Sequence, residues 1–178
     1  VTTDDTAAAA AAVGYLADMG HKKIAVIGGE REYSDTGRLR YAGMLRALTE
    51  RGMTFDADRY YKTAHYSFDE GYEAMTELLR DAPEITAVFA MADVMAIGAA
   101  RAIRDAGKRI PEDISLIGFD GLPICRYYEP RLSTVTQQVS FMAEKSYAVL
   151  LDMIENGTGA RHVLAPYTLE KTDSIRKY

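Results

Sequence analysis

The stretch TAVFAMADVMAIGAARAIRDAG, residues 86–107, changes its period halfway along. TAVFAMA, after Pro83, is an almost unbroken apolar run, the pattern of a strand buried on both faces of a parallel sheet. Asp93 then stands at a capping position, and Ala96, Ala99, Ala100 and Ile103 recur at i, i+3, i+4 and i+7. That spacing is one apolar stripe on an amphipathic helix, which Gly107 stops. ISLIGF follows at 114–119 as another buried strand. A strand, a helix and a strand in this order imply a right-handed crossover between parallel neighbours.

The same rhythm extends toward the amino terminus. Ser67 and Glu70 form a capping box ahead of a stripe of Tyr72, Met75 and Leu79. A weaker strand, YYKTA, lies around 60–64, and Leu39, Ala42, Leu45 and Leu48 mark a helix ended by Gly52. IAVIGG, from Ile24, is the first strand of the series. Asp4, Asp5 and Thr6 can cap a helix through the alanines to Met19, with Gly20 as its stop. The alternation predicts an α/β fold: a doubly wound, mainly parallel sheet with helices on both faces. After Asp120 the rhythm breaks into a loop with Pro123 and Pro130, then STVTQQ, a helix from about Ser140 to Asn156, and a last strand region, RHVLAPYTLEK. That helix carries Met142, Val149 and Met153 on one side and Ala143, Tyr147, Leu150 and Ile154 on another. A helix apolar on two sides is expected to be buried, so either it sits between this lobe and something else or its packing partner is missing from this segment.

Composition narrows the function. The chain has 178 residues, 48% apolar and 26% charged, with a net charge of −5, which suits one core or two small lobes. Basic residues are interspersed with acids, and the arginines between Arg38 and Arg46 point at several angles around their helix, so no phosphate-binding face is expected here. The single cysteine, Cys125, cannot form an internal disulfide, which fits the cytoplasm. No run approaches the roughly 20 apolar residues of a membrane span, and the tract Ala7 to Ala12 is too short for a signal-peptide core. GGEREYSDTG lacks G-x-G-x-x-G spacing, and neither a phosphate-binding P-loop nor a G-x-S-x-G elbow occurs. His21, His65 and His162 share no metal spacing with Cys125. No cofactor or metal is expected, and no enzymatic activity.

In open α/β sheets ligands bind beyond the carboxyl ends of the strands. Those ends are Gly28 to Thr36, Ala64 to Ser67, Ala92 with Asp93, and Asp120 with Gly121. Asp93 reads as a cap from its position. Asp120 has no helix starting directly after it, so either a turn or a ligand can be its purpose. Arg40 can donate a fork of hydrogen bonds to hydroxyls or a carboxylate, or lie solvated on its helix. Tyr66 can offer a flat face to a sugar or base, or fill the core.

The ordered set DD-x9-YL-x3-GHKKIAVIGG, RLRYAGMLRAL, SFDEGYEAM, AVFAMADVMAIGAARAIRDAG, PEDISLIGFDG and YYEPRLSTVTQQ resembles the ligand-binding region of LacI/GalR bacterial transcription regulators, from about Val1 to Gly157. The resemblance implies a type I periplasmic-binding-protein-like fold: two lobes, three crossovers and a small-molecule effector in the cleft between them. It implies a homodimer that binds operator DNA through an N-terminal helix-turn-helix absent from this segment. Residues 21–137 and 161–178 would form the distal lobe, and the helices in 1–20 and 138–160 would belong to the DNA-proximal lobe. Position by position, it implies that the effector, a sugar or related polar metabolite, is bound by Arg40, Tyr66, Asp93, Asp120 and Gln137. Ala92 departs from the family, where an asparagine is common. A transport or chemotaxis binding protein of the same fold is the alternative.

Overall fold

A computed structural model describes residues 1–178. Its main sheet is built from β2 (Ile24–Gly28), β3 (Tyr61–Thr63), β4 (Ala87–Ala90), β5 (Ser115–Asp120), β6 (Ser133–Gln137) and β8 (Tyr167–Glu170), in the order β3-β2-β4-β5-β6-β8. All neighbours run parallel except β6 and β8, which pair antiparallel with Val135 opposite Leu169. Two further short strands, β1 (Thr2–Thr3) and β7 (Leu164–Ala165), pair only with each other. Each predicted apolar run therefore became a strand. β2 and β4 are buried at every position, as their unbroken hydrophobicity requires.

The helices are α1 (Asp5–Asp18), α2 (Asp35–Thr49), a single turn α3 (Ala57–Tyr60), α4 (Phe68–Asp81), α5 (Asp93–Asp105) and α6 (Val139–Asn156). The chain passes from β2 to β3 on one side and returns past β2 to β4 on the other. Right-handed crossovers then place α2 on one face and α4 and α5 on the other, and α1 packs on α2 while α4 packs on α5. Glycines set both contacts. A Cβ on Gly43 would run into the Thr6 carbonyl oxygen, and one on Gly98 into the Phe68 carbonyl oxygen. Gly98→Ala is thus expected to cost about 1–3 kcal/mol by forcing α4 and α5 apart. The urea midpoint reads this out, and an unchanged midpoint would show that the helices separate freely.

Ala8, Ala9, Ala12, Val13 and Leu16 of α1 are fully buried in the same 40-residue cluster as the main sheet. The reason is steric: an alanine face beside Gly43 lets α1 lie close on α2. By contrast, α6 has no buried residue within this chain. Tyr147 is 66% and Ile154 71% exposed, because no other element of the chain lies across either apolar side.

Candidate ligand site

The strand order reverses at β2, so the switch point lies between the carboxyl ends of β2 and β4. Arg40 reaches it from α2, whose amino end is capped by Ser34 accepting from the Gly37 amide at 3.1 Å. The Arg40 guanidinium is buried. Nε donates to Asp5 Oδ1 at 2.7 Å, Nη1 donates to the Met91 carbonyl, and the plane lies 3.6 Å over the Phe119 ring. Nη1 also sits 3.7 Å from Asp120 Oδ1. The side-chain hydrogen bonds of Arg40 within the chain run through Nε and Nη1.

Asp120 ends β5 with φ at 121°, a backbone conformation that side chains other than glycine rarely adopt. Its Oδ1 accepts from Gln137 Nε2 at 2.8 Å, and Gln137 Oε1 in turn accepts from the Thr3 hydroxyl at 2.7 Å. Burial pushes the Asp120 carboxyl above its usual range, with Arg40 and the Gln137 hydrogen bond acting in the opposite direction. The side chain still keeps 27% of its surface exposed. Arg40, Asp120 and Gln137, drawn from α2, β5 and β6, thus form one charged, half-open cradle.

Tyr66 stands apart from that group. It lies between β3 and α4 with φ at 59°, and its ring and hydroxyl cover Gly29, where a Cβ would meet them. It shares the carboxyl edge of the sheet with the cradle but neither hydrogen-bonds nor stacks with its members. Asp93 lies beneath the cradle rather than in it. It is fully buried, its Oδ1 accepts from the Thr134 hydroxyl at 2.6 Å, and its Oδ2 accepts from the Leu122 amide at 2.7 Å. Both oxygens accept hydrogen bonds inside the fold. Asp93 is not the helix cap: Ala92 occupies that position without a side-chain bond. Desolvation raises the Asp93 carboxyl to about 6, against the pull of Thr134 and Leu122.

Asp5 was read as a capping residue, but the cap is Asp4, which accepts from the Ala7 amide at 2.9 Å. Asp5 is the ion-pair partner of Arg40, 35 positions away, a relation with no trace in local spacing. Thr3 and the stacked Phe119 were also missed. The GF-D order at 118–120 marks Phe119 only as a core residue.

Residues 13–175 match the family profile of the periplasmic binding protein-like domain. The chain belongs to this family. Within it, the chain is 37% identical over 150 residues to the HTH-type transcriptional repressor PurR of Pasteurella multocida, covering 84% of this chain and 44% of the repressor. To the repressor of the same name from Erwinia tasmaniensis it is 40% identical over 140 residues, covering 79% and 40%. The chain therefore spans less than half the length of these relatives. A complex of the transcriptional regulator CelR with cellobiose superposes with a TM-score of 0.91 at 31% identity, over 97% of this chain and 52% of CelR. A LacI-family regulator from Enterococcus faecium with bound ribose gives 0.88 at 31% identity, over 99% and 65%. The LacI/GalR resemblance and the fold class read from the motifs agree with these relatives, which are transcriptional repressors and regulators rather than enzymes. No helix of the chain is long and apolar enough to cross a membrane.

Proposed function

We propose that this chain is the effector-sensing region of a LacI/GalR-type transcriptional regulator, and that a sugar or related polar metabolite binds at the carboxyl edge of its sheet. The observation that carries this reading is the buried Arg40, held by Asp5 and the Met91 carbonyl, with Nη1 3.7 Å from the partly exposed Asp120. A fixed donor beside a carboxylate acceptor suits vicinal hydroxyls, which both give and take hydrogen bonds. Tyr66, 37% exposed over Gly29, offers an apolar face farther along the same edge. Ala92 brings no amide to the site.

Residues 21–137 and 161–178 form the distal lobe, with α1 included, and residues 138–160 face a second lobe contributed by the rest of the regulator. The uncovered apolar sides of α6 support that arrangement. A ligand that bridges the lobes shifts the balance between open and closed forms and so alters operator affinity in a cytoplasmic homodimer, with DNA held by a part outside this segment. The dimer rests on family resemblance alone. The repressors among the relatives favour this reading over a transport protein of the same fold.

The test is a thermal-shift panel on the full-length regulator, with mono- and disaccharides including ribose and cellobiose, and with amino acids and nucleosides as other classes. One hydroxyl-rich compound is expected to raise Tm saturably, the gain at a hundredfold excess over Kd amounting to about 2.7 kcal/mol. A response confined to compounds without vicinal hydroxyls would overturn the sugar assignment.

A further inference from the structure

We propose that Asp93 is a positioning residue for the ligand site, a buried clamp that holds the turn after β5 so that Asp120 faces Arg40 and Gln137. The proposal rests on the reading of Asp120 as a ligand acceptor. Three bonds converge on the clamp: Leu122 N–H to Asp93 Oδ2 at 2.7 Å, the Thr134 hydroxyl to Asp93 Oδ1 at 2.6 Å, and Gly121 N–H to Thr134 Oγ1 at 3.3 Å. The two residues that follow Asp120 are thus tied, directly or through one hydroxyl, to a single carboxylate on α5. Asp120 itself holds φ at 121° and Gly121 holds 77°. Such a backbone persists where its surroundings over-determine it, and relaxes where they do not.

The neighbouring residues are built around this clamp. Gly118 leaves space that a Cβ would take from Asp93 Oδ1, and at Gly121 a Cβ would lie 2.6 Å from Thr136 Cα. The Thr134 hydroxyl accepts from Gly121 and has one proton to give, which goes to Asp93. Two donors aimed at two oxygens suit a carboxylate, whereas an asparagine would turn its NH2 toward one of them. A charged group buried at 0% exposure is also a costly way to fill space, so its directional bonds account for its presence better than packing does.

The test uses the full-length regulator with Asp93→Ala, Asp93→Asn and Asp120→Ala. Hydrogen exchange is followed in a peptide covering residues 119–125 and, as a stability reference, in a peptide containing β4. With Asp93→Ala, exchange in 119–125 is expected to rise about ten- to hundredfold beyond any change in β4, and Asp93→Asn should restore part of the protection. If both peptides change in step for both variants, Asp93 is only a stabilising core group and the proposal fails. Titration with ribose and cellobiose adds a second readout. For a sugar that binds, Asp93→Ala should weaken affinity about tenfold or more, and adding it to Asp120→Ala should change nothing further. Lost affinity in Asp120→Ala with full affinity in Asp93→Ala overturns the positioning role alone. Unchanged affinity in Asp120→Ala overturns the site reading instead. If neither sugar binds, the exchange comparison decides the clamp by itself.

Discussion

Arg40→Ala is expected to destabilise the chain by about 3–5 kcal/mol, the range seen when one partner of a buried ion pair is removed. Arg40 is 5% exposed, and alanine would strand Asp5 Oδ1, which the guanidinium holds at 2.7 Å, together with the Met91 carbonyl. The contact with the Phe119 face, 3.6 Å away, is lost as well. Arg40→Lys should recover only part of the loss, because an ammonium cannot stack on Phe119 while reaching both Asp5 and the carbonyl. Urea unfolding followed by circular dichroism measures this. A loss below about 1 kcal/mol would place Arg40 among ordinary solvated surface arginines. Ligand affinity should fall in the same variant, but that fall cannot separate contact from collapse of the site.

Asp120→Gly makes the separation. Glycine adopts positive φ without the side-chain penalty, so relief of the backbone at 121° should stabilise the fold by about 1 kcal/mol. It also removes a carboxyl whose ionised form is disfavoured by burial. Against this stands one hydrogen bond from Gln137, which keeps its second partner, Thr3. Arg40 likewise keeps Asp5. Ligand affinity moves the other way. Loss of a charged acceptor that serves hydroxyl donors should weaken binding about hundredfold. A substitution that firms the fold while disabling binding is the mark of a residue kept for function.

The architecture was legible wherever one element's own period records its environment. β2 and β4 are apolar throughout because both faces are covered, and α5 keeps one stripe because one side meets the sheet. The position of α1 was not legible. Ala7 to Ala12 present small side chains on every face, so the choice of neighbour is made by Gly43 on another helix. The two-sided pattern of α6 demands partners, but a sequence does not say whether those partners belong to the same segment. At the site, Asp120 could be singled out because no helix follows it for it to cap. Asp5 and Asp93 could not be sorted in this way. Both occupy capping positions in the sequence, and only the packing of α1 on α2, and of α5 beneath β5, turns one toward Arg40 and buries the other against Thr134. Gln137 entered through the family motif, and its bond to Asp120 across adjacent parallel strands gives that assignment a geometric basis.

The most direct measurement is calorimetric titration of the full-length regulator and its Asp120→Gly variant with the compound selected by the thermal-shift panel, each protein also being unfolded in urea. If Asp120 receives the ligand, the variant binds about hundredfold more weakly while its urea midpoint equals or exceeds that of the parent. Equal affinities in the two proteins would contradict the account and remove the ligand from the carboxyl end of β5.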